Sequence, residues 1–291
     1  EAVEELLKVN SLDASTIDVI GFHGQTITHR PEIGLSLQIG DGDLLAQKTG
    51  INVVHSLRQN DLANKGQGAP LVPLYHQALV RDQPKPIAIV NIGGVANVTW
   101  IGQKEDDILA FDTGPGNALL NDWILKHTQQ PYDKNGEIAA KGNCDPTLLS
   151  QLLEHRFFSK IPPKSLDRND FKTDILDHLS TEDGAATLTA FTAHTIANAA
   201  NYYPKEVNQW YIAGGGRHNT TLMNMLTKLI KAPNTPIDTL KLDGDAIEAQ
   251  AFAFLAIRSL LKLPLSLPTT TGVLKPCTGG VLSISKTGIP A

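Results

Sequence analysis

The chain has 291 residues, of which 41% are hydrophobic, enough to fill the core of one large domain or two modest ones. Its formal net charge of -5 and pI near 6.0 leave no basic excess to neutralise a phosphate backbone or an anionic bilayer, so nucleic acid and membrane are disfavoured and a small molecule is the expected partner. The two cysteines, Cys144 and Cys277, form no C-x-x-C pair, which argues against a disulfide framework or a zinc site and fits a reducing cytoplasm.

The first residues form an amphipathic helical pattern (Ala2, Val3, Leu6, Leu7) without an initiator methionine, so the chain reads as starting mid-domain. No charged-then-apolar leader opens it, and no run of about 20 apolar residues is long enough for a spanning helix. Strands are expected at 17–21, 35–39, 51–54, 87–92, 108–111 and 210–212, mostly as continuous apolar runs. Helices are expected at 43–48, 71–80, 119–126, 147–153, 186–201, 221–230 and 245–261. The alternation predicts an α/β protein, and the charged, proline-rich stretch 81–86 is the expected boundary between two lobes.

Candidate functional residues cluster at the ends of these strands. His23 and Gln25, after the first strand, could hydrogen-bond a sugar, although a lone histidine is more often structural and its spacing to His29 is not that of a metal pair. Asp61 precedes the loop Gly66-Gln-Gly-Ala-Pro70, which reads either as a substrate loop or as an ordinary turn into the next helix. Gly93 and Gly94 lie between two extended runs, as in a hairpin turn, and Asn97 follows them. Asp112 comes directly after an apolar strand and begins Asp112-Thr-Gly-Pro-Gly-Asn117, which leads into a helix with Asn117 as its expected N-cap. At the mouth of an α/β crevice such a carboxylate suits a general base, and equally an Asx turn, while free N–H groups at the helix start would suit an anion. Gly214, Gly215 and Gly216 again lead from a strand to a helix, with Asn219 or Thr220 as cap, and fit either close approach by a flat ring or a plain tight turn. Glu248 lies three residues after Asp245 and on the helical face of Phe252 and Leu255, so it reads as half of a capping box or as a ligand contact. No G-x-S-x-G elbow supports acyl transfer.

Taken in order, these stretches resemble the anhydro-N-acetylmuramic acid kinase family of the actin/hexokinase/Hsp70-like superfamily. The resemblance runs from about Val19 to Gly280 through Gly21-Phe-His-Gly-Gln-Thr-Ile27, Gly66-Gln-Gly-Ala-Pro70, Asn91-Ile-Gly-Gly94, Phe111-Asp-Thr-Gly-Pro-Gly-Asn117, Pro162-Pro-Lys-Ser165, Gly214-Gly-Gly216 and Glu248. It implies a two-lobed actin-like (ribonuclease H-like) α/β fold with mixed sheets flanked by helices. Residues 1–85 would form an incomplete sugar-side lobe, completed by 270–291, and 86–269 the nucleotide and catalytic lobe. It implies an ATP- and Mg²⁺-dependent bacterial kinase of cell-wall (peptidoglycan) recycling. The product would be N-acetylmuramic acid 6-phosphate, made as water opens the 1,6-anhydro ring.

By the same resemblance Asp112 is the general base. Glu248, His23, Gln25, Asp61 and Gly114 would contact the sugar, and Gly93, Gly94, Asn97, Gly214, Gly215, Gly216 and Asn219 the nucleotide, with no residue assigned to metal. A cytoplasmic location and a homodimer are implied as well. The chain departs from the family pattern in three places. Nothing in Glu1 to Ile20 matches the family's Gly-Thr-Ser-x-Asp-Gly-type phosphate loop, Ser56-Leu57 precedes Arg58 where Asp-Phe is usual, and Leu166-Asp167 replaces Thr-Gly. These departures leave a second reading, a catalytically silent binder of a muropeptide sugar or a nucleotide.

Overall fold

The computed structural model describes residues 1–285. In chain order its first elements are α1 (Ala2–Val9), β1 (Ile20–Gly21), β2 (Gln25–Arg30), β3 (Leu35–Ile39), α2 (Gly42–Thr49), β4 (Val53–His55), α3 (Gln59–Ala63) and α4 (Pro73–Leu79). Then come β5 (Ile87–Ile92), β6 (Ala96–Ile101), β7 (Ile108–Gly114), α5 (Ala118–Thr128), α6 (Pro146–Leu153), α7 (Thr181–Asn198), β8 (Gln209–Ala213), α8 (Thr220–Leu229) and β9 (Asn234–Pro236). The chain ends with α9 (Ile247–Leu260), α10 (Pro268–Thr271) and β10 (Val281–Ser283). The chain divides into two compact units, Glu1–Ala78 with the stretch from Glu248 onward, and Leu79–Ile247.

The second unit holds a sheet of order β7-β6-β5-β8-β9. Strands β5, β6 and β7 run antiparallel, whereas β8 and β9 join the other edge of β5 in parallel. A three-strand meander extended by parallel strands through helical crossovers is the mixed sheet of the expected actin-like arrangement. Its apolar face carries Val90, Val98, Phe111, Trp210 and Ile212 against Ala193 and Ile196 of α7 and Leu222 and Leu226 of α8. Burial of the valine, leucine, isoleucine and phenylalanine side chains stabilises the unit by about 1.5–3 kcal/mol each.

In the first unit β4 pairs in parallel with β1 and antiparallel with β10, while β2 and β3 form a separate ribbon. The expected lobe boundaries therefore move, from 85/86 to 78/79 and from 270 to 248. The return comes early because Phe252, Leu255 and Ala256 of α9 pack on Val54, Leu57 and Leu71 of the first unit. At Gly21 the strand passes so close to the Phe252 backbone carbonyl that no Cβ fits. Residues 286–291 of the expected 270–291 completion lie outside the described residues.

Local chemistry explains the shifted helix ends. Ser180 accepts from the Asp183 N–H at 3.0 Å and starts α7 at Thr181, five residues before the apolar pattern begins. Helix α9 starts at Ile247, so Asp245 lies ahead of the cap and the expected Asp245/Glu248 capping box does not form. The Asp245 carboxylate accepts from Arg217 Nη1 at 2.7 Å, and Arg217 Nε donates to Asp238 at 2.8 Å. The hydrogen bond from Arg217 holds Asp245 down at about 2.

His76, buried in the first unit, is pulled down to about 4 by loss of solvation, and His23 to about 4 by burial and then by the Arg58 charge. The unfolded chain takes up these protons near 6.5 and the folded chain only near 4, so folding stability is full above pH 6.5 and falls between there and pH 4. Thermal melts from pH 7.5 to 4.5 should show this decline, and His76→Leu should flatten it; an unchanged slope in the variant would exclude His76 as a source.

Candidate active site

In the first unit the structure brings three of the expected sugar-side residues together. His23, Gln25 and Glu248 line one cavity of about 430 Å³ with Gly21, Thr26, Ala249 and Phe252. Glu248 is exposed in the first turn of α9, one turn ahead of buried Phe252, so its carboxylate borders this cavity and not the core. The His23 ring packs 4.5 Å from Phe252, and its Nε2 accepts from Arg58 Nε at 3.1 Å. Arg58 also donates through Nη1 to the Gly68 carbonyl at 2.7 Å. A guanidinium donating to Nε2 requires a neutral imidazole, in keeping with the lowered His23 pKa.

Asp61 is not part of that cavity. It is 2% exposed, and its carboxylate accepts from the Gly68 N–H and the Thr271 hydroxyl at 2.6 Å each and from the Ser266 hydroxyl. The expected sugar contact is therefore a latch that ties the Gly66–Pro70 loop to the segment around α10. Gly66 belongs to it, because a Cβ there would strike the Asp61 carboxylate.

In the second unit Asp112 is buried near the end of β7, facing away from the apolar face that carries Phe111. Its N–H donates to the Lys164 carbonyl at 2.9 Å, and its Oδ2 accepts from the Leu166 N–H at 2.8 Å. The segment 164–166 thus straps Asp112, which explains the place of Pro162-Pro-Lys-Ser165 in the ordered motifs. Register places Asn97 opposite Asp112, Asn91 opposite Asn97, and Ala213 beside Asn91. A polar row thus crosses three adjacent strands, and Ala213 beside it leads into the Gly214 turn. The Asn97 Oδ1 is buried with no hydrogen-bond partner, an acceptor waiting for a donor.

The glycines divide by role. Gly93 and Gly94 form the expected hairpin turn, with Ile92 opposite Ala96, and their carbonyls accept from the Asn117 and Ala118 N–H groups at 2.8 and 3.1 Å. Those two donors at the start of α5 are therefore not free for an anion, as the sequence suggested. Nor does Asn117 cap the helix with its side chain, whose Nδ2 donates to the Ile92 carbonyl at 3.2 Å. Gly114, expected at the sugar, is buried against Thr195 of α7, where a Cβ would lie 2.5 Å from Oγ1. Gly214 has φ +75 and leaves no space for a Cβ beside the Asn91 Oδ1 and the Ile92 carbonyl.

Gly215, Gly216 and Asn219 line a cavity of about 390 Å³ with Asn117, Asn121, Tyr132 and the turn Asp133 to Asn135. Asn219 does cap α8, its Oδ1 accepting from the Leu222 N–H at 2.9 Å. Sequence reading missed Tyr132 and Asn135 here because a polar loop has no periodicity, and missed Asn91 because its position on the row depends on strand register.

A family profile described as anhydro-N-acetylmuramic acid kinase matches residues 1–285. The chain belongs to that family. The match includes the first 18 residues, which lay ahead of the resemblance seen in the motifs. The anhydro-N-acetylmuramic acid kinase of Zymomonas mobilis is 50% identical over 96% of this chain and 77% of its own length. Proteins of the same name from Rhizorhabdus wittichii and Methylorubrum populi are 51% and 50% identical over 96% and 97% of this chain and 77% and 75% of their own lengths. Among solved structures, the activator of the 2-hydroxyisocaproyl-CoA dehydratase from Clostridium difficile aligns at 16% identity over 78% of this chain and 87% of its own, with a TM-score of 0.44. As a member of the family the chain is a sugar kinase, and kinase chemistry on this fold uses ATP.

Proposed function

We propose that this kinase transfers the γ-phosphoryl group of ATP to O6 of 1,6-anhydro-N-acetylmuramic acid as water opens the anhydro bridge, giving N-acetylmuramic acid 6-phosphate and ADP. The observation that carries the reading is the buried Asp112 on a polar row beside Asn97, whose Oδ1 has no partner. Asp112 takes one proton of the attacking water, and Asn97 Oδ1 accepts a hydrogen bond from the O–H that stays on it and orients the lone pair. Attack at the anomeric carbon breaks its bond to O6, and O6 receives the phosphoryl group. The proton on Asp112 then passes to solvent.

The cavity bordered by His23, Gln25 and Glu248 supports sugar recognition, since neutral imidazole, amide and carboxylate groups all hydrogen-bond hydroxyls. The Gly215-Gly216-Asn219 cavity supports nucleoside binding, and the tight Gly214 turn supports close approach of backbone to ligand. Among the described residues no three His, Cys, Asp or Glu converge on one point. When bound with the nucleotide, Mg²⁺ would neutralise phosphate charge. Dependence on ATP supports a cytoplasmic location. Among the described residues no helix is long and apolar enough to cross a membrane.

Gly215 gives a selective test of the nucleotide cavity, because a Cβ there meets nothing within 4 Å. Gly215→Ala should leave the fold and sugar affinity intact and raise the KM for ATP about 10-fold through the clash of one methyl with the ligand. An unchanged KM for ATP would move the nucleotide elsewhere. The whole reading is tested by ADP release with ATP, Mg²⁺ and the anhydro sugar; sugar binding without turnover would return the silent binder.

A further inference from the structure

On the face of β7 opposite Asp112 lies a second cavity of the catalytic unit, of about 190 Å³, that the proposed reaction does not use. Its lining includes Phe111, Thr113, Thr195 and Tyr202, with the exposed amides of Asn198 and Asn201 among the outer residues and Lys164 buried to 5% exposure. A buried ammonium normally lies against a carboxylate. Lys164 has none among the described residues: its Nζ donates to the Phe157 carbonyl at 3.3 Å and sits 4.6 and 4.9 Å from the centres of the Phe157 and Tyr202 rings. An ammonium has three N–H donors, and only one meets an oxygen here.

We propose that this cavity is a ligand site for a small anion, a carboxylate or a phosphate, which supplies the missing counter-charge to Lys164. The exposed amides of Asn198 and Asn201 provide neutral donors around it, while the Thr195 hydroxyl is spent on the Thr192 carbonyl, and the volume limits the ligand to an anion of a few heavy atoms. Burial, and then repulsion from Lys160, bring Lys164 down to about 8, so the ammonium is still the main form at pH 7. An anion would further favour that form.

The site is wired to the base by the backbone. The Lys164 carbonyl accepts from the Asp112 N–H, and two residues on the Leu166 N–H holds Asp112 Oδ2. An anion that draws on the Lys164 side chain therefore acts on the strap that positions Asp112, and occupancy should change kcat while leaving the KM for ATP in place. The anion site stands on its own geometry; only this effect on turnover rests on the kinase reading.

The test is calorimetric titration at pH 7 with two probes in parallel, sodium acetate and inorganic phosphate, in the presence of saturating ADP so that phosphate does not fill the nucleotide cavity. At least one probe should bind the wild-type chain and Asp112→Asn alike, and Lys164→Met should weaken it by about 10-fold or more, the expected loss of a charged contact. Which probe responds separates carboxylate from phosphate. Should Lys164→Met fail to fold, Asn198→Ala, which removes one exposed amide donor, should weaken the same probe by about 3-fold or more. Absence of saturable binding to the wild-type chain, or equal affinity in the folded variants, would overturn the site, whatever the result of the ADP-release assay.

Discussion

Asp112→Asn lowers turnover by about 100-fold or more and leaves folding and nucleotide affinity close to wild type. The amide keeps the shape of the carboxylate and still offers an oxygen to the Leu166 N–H, so the strap at 164–166 stays in place. It cannot take a proton from water. The loss should appear in kcat measured by ADP release, with calorimetric ATP affinity and near-ultraviolet circular dichroism unchanged. If Asp112 were only a turn residue, its amide would be an adequate replacement and turnover would be near normal, which would remove Asp112 from the mechanism. A fall in both thermal stability and turnover would instead make Asp112 a structural anchor of the strap.

Asp112 also shows how far the sequence could be read. Its place after an apolar strand and beside Gly114 and Gly116 was visible from residue order alone, as were the hairpin at Gly93 and Gly94 and the helix cap at Asn219. Each is a local feature with a local cause. The neighbours of Asp112 on the sheet were not visible as neighbours, because Asn97 and Asn91 meet it only through the pairing of β5, β6 and β7. The same limit applies to Lys164, which stands in a motif but gains its aromatic surroundings from Phe157 and Tyr202, the latter 38 residues further on. The lobe boundary at 248 was hidden for another reason. Helix α9 has an apolar pattern that would pack on either unit, and contacts of Phe252 and Leu255 with Val54 and Leu57 decide between them. Strand β2 escaped detection because Gln25, Thr26, Thr28 and Arg30 give it no apolar face, and its pairing with β3 supplies the order that its composition does not.

Asp61, expected at the sugar, has surroundings that favour another role, and it carries the second large effect. A carboxylate next to a glycine-rich loop suits a sugar contact, but this one is buried and accepts from the Gly68 N–H, the Thr271 hydroxyl and the Ser266 hydroxyl. Asp61→Ala leaves these donors without their acceptor, at about 1–3 kcal/mol for each one that finds no substitute, so a total loss of about 3 kcal/mol or more is expected. For a chain of this size that lowers Tm by roughly 6 °C or more. Asp61→Asn keeps the shape and one acceptor oxygen, so it should fall between the two in Tm. The loop from Gly66 to Pro70 is held by Arg58 through the Gly68 carbonyl, and Arg58 in turn holds His23 at the sugar-side cavity. Loosening the latch should therefore raise the KM for the sugar in both variants, in step with the loss of Tm. If Asp61 contacts the sugar directly, Asp61→Asn would raise the KM for the sugar strongly while Tm stayed at the wild-type value, and the latch would have to be given up.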